Sequence, residues 1–379
     1  ALGSANGPIP NGTSTQTFCF DVPATATFDG GETHMRFRLS MNGTTNFDGL
    51  VTSGEVEDYH YPLAKIGNLV WEDYSFDGIQ DTGEPGIENV TVQLTWAGPD
   101  NTLGNGDDIV YSEMTNASGN YYFCGLIASN YEVKVIDPAT LTPTKVNTGN
   151  DDYDDNDYMS QVVNITDPFN LPTGEDGLTD NPGGTDGFPD ASEDISVDFG
   201  FVALDFGDLP DGFVTTDGIG GPVHVIQPDF YLGDCVDPET DGNPDDEAGT
   251  DGTGGDDTAN SNFGQGTCNA AGDENGIAFI TPMVPGHTAC IEVTSTIPTG
   301  GGLLNAWIDF NGNDVFDAGE EVLFTSIGGT PVTPTADGNL PAGNQVTEMC
   351  FTIPSTAAFE GEETHLRFRL SSGGGLLPV

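Results

Sequence analysis

The residues with the clearest chemistry lie in one twelve-residue stretch, Asp73-Tyr-Ser75-Phe-Asp77-Gly78-Ile79-Gln-Asp81-Thr-Gly-Glu84. Oxygen-bearing side chains stand at positions 1, 3, 5, 9 and 12, glycine at position 6 permits a sharp turn, and the Ile79 carbonyl is available at position 7. A hard cation takes six to eight oxygens, and this is the spacing of the EF-hand calcium loop, which supplies them from one segment. Ser75 stands where Asp or Asn is usual and so removes one charge from the site. A second stretch repeats the spacing: Asp309-Phe-Asn311-Gly-Asn313-Asp314-Val315-Phe-Asp317-Ala-Gly-Glu320. Here Asp314 occupies the position where glycine is expected, a tolerable change because Asp enters left-handed backbone more readily than most residues.

Strands, not helices, must hold these loops. Val70-Trp71 before the first loop and Val90 to Leu94 after it alternate as strands do. So do Tyr131 to Val135 and His365 to Leu370. With 53 Gly and 25 Pro, every candidate helical window is interrupted. Short alternating runs separated by Asp, Gly, Asn and Pro predict an all-β chain of tandem immunoglobulin-like β-sandwich domains with long acidic loops.

Charge sets the class of partner. The chain carries 61 Asp and Glu against 7 Lys and Arg, a net charge of -54. A phosphate backbone needs a basic face, so nucleic acid is excluded, and an anionic membrane surface is disfavoured on the same ground. No apolar run is long enough to span a bilayer. The 22 Phe, 10 Tyr and 3 Trp suffice for packed cores. Crowded carboxylates repel one another, and divalent cations would relieve that repulsion locally.

An internal repeat organises the chain. Residues 17–40, TFCFDVPATATFDGGETHMRFRLS, match residues 348–371, EMCFTIPSTAAFEGEETHLRFRLS, at a constant offset of 348 − 17 = 331. The first copy runs on into Gly54-Glu-Val-Glu-Asp-Tyr59, whereas the second reaches Val379 without such a strand. Either the sequence is a window on a longer polypeptide of alternating modules, or neighbouring subunits exchange strands. The repeated strands would compete for one place, so the GEVEDY strand is the one that could be donated without conflict.

The ends resemble the GEVED domain of bacterial secreted and surface proteins. The resemblance rests on Asp205-Phe-Gly-Asp-Leu-Pro-Asp211, Asp273 to Ile277, Trp307-Ile-Asp-Phe-Asn311 with Asp317 and Glu320, the RFRL strands, and Gly54 to Tyr59. The middle resembles the SdrD B-like domain of surface adhesins. It carries Gly67 to Trp71, the loop Asp73 to Glu84, Gly86 to Val90, Gly119 to Phe123, and the closing Val197 to Phe201. These resemblances imply extracellular β-sandwich modules in tandem, with calcium held in loops. They divide the chain into residues 1–64, the end of a GEVED-like domain; 65–203, an SdrD B-like domain; and 204–379, a GEVED-like domain lacking its last strand. They also bring Asp107 and Asp108, and Asp155 with Asp157, into view as further calcium carboxylates.

Six cysteines show no metal or redox spacing, and disulfides of a secreted protein are the expectation. Cys290 and Cys350 lie on two apparent strands of one sandwich and pair across the sheet. Cys235 and Cys268 are placed to staple the acidic insertion between them. Cys19, the counterpart of Cys350, needs a partner upstream or in a neighbouring subunit. Cys124 reads as a buried thiol. All four arginines (Arg36, Arg38, Arg367, Arg369) fall in the repeated strand and read as structural ion-pair partners. His34 and His365 read as scaffold beside them. No nucleophile or metalloprotease motif is present, so the expected role is not enzymatic. The expectation is a secreted, calcium-stabilised structural protein of a cell-surface stalk, fibre or matrix filament. The alternatives are an adhesin recognising a glycan or protein, and an accessory region of a secreted enzyme.

Overall fold

The computed structural model describes residues 32–41, 48–50, 53–62, 64–136, 138, 141–146, 156–157, 159–165, 193–194, 196–207, 209–215, 220–236, 238–239, 264–266, 275–359 and 364–378. All regular elements among them are strands, apart from a single 3-10 turn at Asp211–Phe213. The architecture is all-β, built from several small sheets, as tandem β-sandwich domains require. The chain separates into two units, one of residues 1–71, 78–137 and 145–200, the other of residues 72–77, 138–144 and 201–379.

In the first unit a four-stranded antiparallel sheet runs in the order Ser160–Ile165, Ser129–Val135, Thr91–Trp96, Ile109–Met114. Alternation along its central strands follows from the two-residue side-chain period. Val92 and Leu94 on one strand, and Tyr131, Val133 and Val135 on the next, turn inward and are buried. Ala64–Ile66 pairs antiparallel with Phe123–Leu126 and parallel with Glu193–Asp194. Trp71 and Phe199, both fully enclosed, are the largest side chains of this core. The same unit contains the hairpin of Glu32–Leu39 with Glu55–Pro62.

The second unit is a two-layer sandwich. One sheet runs Tyr231–Leu232, Thr288–Ile297, Gly343–Thr352, Phe324–Ile327, Thr330–Thr335, with Ile277–Phe279 also on Thr288–Ile297. The other runs Gly338–Leu340, Gly302–Ile308, Leu366–Ser371. Ile291, Val293, Phe324, Met349 and Phe351 from the first meet Leu304, Ala306 and Ile308 from the second in one hydrophobic cluster. The register sets Cys290 opposite Cys350, and the two form the expected disulfide. Cys235 is also disulfide-bonded. Cys268 and Cys19 lie outside the described residues. Cys124 departs from expectation: it is exposed. It alternates on Phe123–Leu126 with Phe123, which takes the inward place.

Candidate metal centre

The loop Asp309 to Glu320 leaves the strand Gly302–Ile308 and folds back on it. Ile308 N–H donates to the Glu320 carbonyl at 3.0 Å, and Asp309 N–H donates to the His365 carbonyl at 3.0 Å. The Thr364 hydroxyl donates to the Asp309 carbonyl at 2.6 Å. The base of the loop is thus tied to the residues that open the strand Leu366–Ser371.

Asp309, 1% exposed, organises the loop's first half. Its Oδ1 accepts the N–H groups of Asn311 at 3.2 Å, Gly312 at 2.7 Å and Asn313 at 3.3 Å, and its Oδ2 accepts that of Asp314 at 3.0 Å. Glu320 organises the second half. Its Oε1 accepts Phe310 N–H and Asn311 Nδ2, each at 2.9 Å, and its Oε2 accepts Asp317 N–H at 2.7 Å. Asp317 Oδ2 in turn accepts Asn313 Nδ2 at 2.8 Å and Asn311 Nδ2 at 3.3 Å. Positions 1, 3, 5, 9 and 12 of the calcium spacing therefore meet in one network. Val315, at position 7, donates its N–H to Asn313 Oδ1 at 3.3 Å.

The network is negative and crowded. Burial, first, and the nearby Asp309 charge push the Glu320 carboxyl above its ordinary range, against the N–H groups of Asp317 and Phe310 and the Asn311 amide, which favour its ionised form. Asp309, Asp314 and His365 each bring a ligand atom within 4.8 Å of the others. Three carboxylates and two amides at ligand positions suit a hard divalent cation. Turning an Asn amide over exchanges Nδ2 for Oδ1, the atom such an ion takes.

Behind the loop sits a support that sequence reasoning missed. Phe213, 1% exposed, sets its ring centroid 4.8 Å from those of both Phe316 and His365, tilted by 50° and 45°. A Cβ on Gly212 would come within 2.6 Å of the Asp314 carbonyl, so the 3-10 turn can approach the loop only with glycine there. Arg367 Nη1 donates to the Phe213 carbonyl at 3.0 Å and Nη2 to Thr215 Oγ1 at 3.2 Å. Its guanidinium lies 5.6 Å from the Phe316 ring centroid. The pieces come from opposite ends of the unit, and only the segment Asp205 to Asp211 hinted at them.

The first loop is divided between the two units after Asp77. In the part Asp73 to Asp77, Asp73 is fully buried, and its Oδ1 accepts Phe76 N–H at 2.6 Å and the Ser75 hydroxyl at 3.1 Å. Its Oδ2 accepts the Thr144 hydroxyl at 2.6 Å. In the part Gly78 to Glu84, Asp81 N–H donates to Glu84 Oε2 at 2.9 Å and Glu84 N–H to the Asp81 carbonyl at 3.1 Å. Asn156 N–H holds the Gly78 carbonyl at 3.1 Å. Asp77 and Asp81 are exposed, and Ile79 and Glu84 half-buried.

The remaining acidic candidates form tighter, local patterns. Asp108 Oδ2 accepts the N–H groups of Gly104 and Asn105, while Asp107 N–H donates to Asn105 Oδ1. Asp157 receives Gln161 Nε2 and the N–H of Asp198, which ties it to the segment before Phe199. Asp155 lies outside the described residues. Of the arginines, Arg36 makes the expected ion pair, a two-pronged bond to Asp58 at 2.6 and 2.8 Å that holds the Asp58 carboxyl below its usual range. Arg38 donates to the carbonyls of Asp48 and Gly49. Arg369 Nε donates to His224 Nε2 at 3.0 Å. Burial, and then the Arg369 charge, lower the His224 pKa to about 4.

Comparison with known proteins matches the two resemblances to separate stretches. Residues 64–183 match the SdrD B-like domain and residues 303–376 the GEVED domain. The SdrD B-like family is generally calcium-binding. Serine-aspartate repeat-containing protein E of Staphylococcus aureus (strain USA300) is 39% identical over 117 residues, 31% of this chain and 9% of that protein. Serine-aspartate repeat-containing protein F of Staphylococcus epidermidis is 33% identical over 147 residues, 36% of this chain and 8% of that protein. The bone sialoprotein-binding protein of Staphylococcus aureus (strain MRSA252) is 38% identical over 117 residues, 31% of this chain and 10% of that protein. The chain thus spans a tenth or less of these relatives. The full-length RrgB pilus protein from Streptococcus pneumoniae aligns over 76% of this chain and 45% of its own, at 11% identity and a TM-score of 0.19. The staphylococcal relatives are cell-surface adhesins of Gram-positive bacteria, the matched domains are surface-protein modules and not enzymes, and the location of the chain is extracellular.

Proposed function

We propose that the chain is a segment of a surface adhesin in which β-sandwich modules, divided at residues 65–203 and 204–379, are stiffened by calcium bound in their acidic loops. The observation that carries this reading is the shared construction of the loops at Asp73 and Asp309. At position 4, Phe76 and Gly312 have φ of 52° and 69°; at position 6, Gly78 and Asp314 have 83° and 61°; at position 11, Gly83 and Gly319 have 109° and 102°. In both, the position-1 carboxylate accepts the position-4 N–H and the position-12 carboxylate accepts the position-9 N–H. Two unrelated stretches with one spacing and one backbone path support one ligand chemistry, oxygen coordination of calcium. Asp73, Ser75, Asp77, Ile79, Asp81 and Glu84 form the first proposed ligand set. Asp309, Asn311, Asn313, Val315, Asp317 and Glu320 form the second. The test is calorimetric titration of the chelator-treated protein with calcium. Saturable binding and a raised melting temperature are expected, and a melt indifferent to calcium would falsify the reading.

A second reading, modules arranged end to end in a stalk or filament by continuation of the polypeptide or by self-association, is favoured by the internal repeat of residues 17–40 at 348–371. Negative-stain images of the purified protein check it: regular filaments are expected, and dispersed single particles at high concentration count against it.

A further inference from the structure

Two outer strands of the molecule are finished differently. Thr330–Thr335 ends the larger sheet of the second unit and carries Pro331 and Pro334, neither of which has an N–H to offer. Its pairing with Phe324–Ile327 is also interrupted by a register shift. Proline and irregular pairing both discourage a sheet edge from recruiting a further strand. Ile109–Met114 ends the four-stranded sheet of the first unit, among the described residues, with neither safeguard. It has no proline, lysine or arginine, and it pairs with Thr91–Trp96 without a shift. All its residues are exposed, and Ile109, Val110, Tyr111 and Met114 are 44, 54, 49 and 58% exposed.

The backbone of this strand turns usable groups outward. Thr115 N–H donates to the Val90 carbonyl at 3.0 Å, and the pairs of Glu113 with Val92, Tyr111 with Leu94 and Ile109 with Trp96 continue that register. Alternation then directs the N–H and C=O groups of Val110, Ser112 and Met114 to the free side. Side chains alternate as well. Ile109, Tyr111 and Glu113 share the face of buried Val92 and Leu94, and Val110, Ser112 and Met114 share the other. Acid surrounds the edge: Asp107 and Asp108 precede the strand, Glu113 lies in it, and Glu88 adjoins Asn89, whose N–H donates to the Thr115 carbonyl. The four strands hold one basic residue, Lys134, which is two strands inward of Ser112.

Resting on the adhesin reading, we propose that the free edge of Ile109–Met114 docks an extended, cationic peptide segment of a partner protein as a fifth strand of the sheet. The outward groups recur at every second residue, a spacing that an extended chain matches and a helix, which satisfies its own backbone, does not. Pleating sorts the guest's side chains. Those beside Val110 and Met114 meet apolar surface and suit β-branched residues, whereas those beside Tyr111 and Glu113 meet a ring face and a carboxylate and suit lysine or arginine. Charge chooses among extended partners: a second copy of this chain brings the same Glu113 and a net charge of -54, and a basic segment is drawn in.

The probe is a labelled peptide of alternating lysine and valine, added to the whole chain in calcium, with binding read by fluorescence anisotropy and its place by hydrogen exchange. Saturable binding is expected, with new protection at the amides of Val110, Ser112 and Met114. The same peptide N-methylated at alternate amides should bind at least about tenfold more weakly, because its half of the ladder is lost. Ser112→Pro should weaken binding to a similar degree while leaving the melting temperature in place, since the amide it removes faces away from Thr91–Trp96. Equal binding of the methylated peptide, or of one with its lysines grouped at one end, means adsorption to an acidic surface and overturns the proposal. So does protection elsewhere. A dimer that hides the same amides without any peptide assigns the edge to a second copy and also overturns it. Calcium uptake with no peptide binding keeps the calcium-stiffened modules and rejects this edge as a docking site.

Discussion

The loops at Asp73 and Asp309 share a backbone path but differ in what holds it. At ligand positions the first carries four carboxylates, Asp73, Asp77, Asp81 and Glu84, and the second carries three, Asp309, Asp317 and Glu320, with amides at Asn311 and Asn313. The Asn311 amide bridges Asp317 to Glu320, the Asn313 amide reaches Asp317, and Asp309 alone satisfies four backbone N–H groups. The second loop is thus largely cross-braced by its own hydrogen bonds. In the first, Asp77 and Asp81 are exposed, whereas Asp73 is fully buried. On the calcium reading, equal spacing in sequence therefore does not mean equal dependence on the cation.

Chelation is the strongest way to break this comparison. Hydrogen exchange over residues 73–84 should accelerate by at least about tenfold when calcium is withdrawn, since opening free energies respond directly to ligand occupancy. Residues 309–320 should respond less. Equal acceleration in both stretches sinks the distinction. Next in size is Asp309→Ala, which strands four N–H groups and should cost about 3 kcal/mol even in chelator, read from denaturant melts. Its loss should exceed that of Asp81→Ala under the same conditions, because Asp81 is exposed.

Acid should weaken the second loop's unit through His224. Its folded pKa of about 4 lies below the unfolded value of 6.5, so the unfolded chain takes the proton first. The associated stability is complete above about pH 6.5 and is lost as pH falls toward 4, roughly 2 kcal/mol after allowance for partial exposure. Melts of His224→Gln should lose that slope. The smallest effect is at position 6. Asp314→Gly relieves a left-handed residue and should stabilise by up to about 1 kcal/mol, whereas Gly78→Asp should cost a similar amount. A stabilising Gly78→Asp would contradict the common backbone path.

What could be read in the sequence was local. Twelve consecutive residues encode a loop, so its turn, the tolerance of Asp314 for φ of 61° and the strands around it were legible. The short runs Thr288 to Val293 and Met349 to Ile353 likewise read as strands and gave the Cys290–Cys350 pair; the structure extends them to Thr288–Ile297 and Gly343–Thr352. What was missed is assembled across long separations. Phe213 and Arg367 are 154 residues apart, Arg369 and His224 are 145, and Asp73 and Thr144 are 71. Nothing in the composition around Phe213 distinguishes a ring that backs a loop from one that fills a core. Cys124 was misread for a related reason: thiols are usually buried, but the pleat gave the inward place to Phe123.

The Cys290–Cys350 bond has a consequence for a protein displayed outside a cell, where it would be pulled. The two sulfurs join neighbouring strands across a sequence separation of 60 residues, and the loop Asp309 to Glu320 lies inside that interval. Tension entering at Cys290 passes to Cys350 through the sulfurs and bypasses everything between. Roughly 200 Å of contour length, at about 3.4 Å per residue, stays locked away until the bond is reduced. The covalent line of load therefore skips the enclosed loop, which meets force only through the hydrogen bonds that tie it to the residues opening Leu366–Ser371.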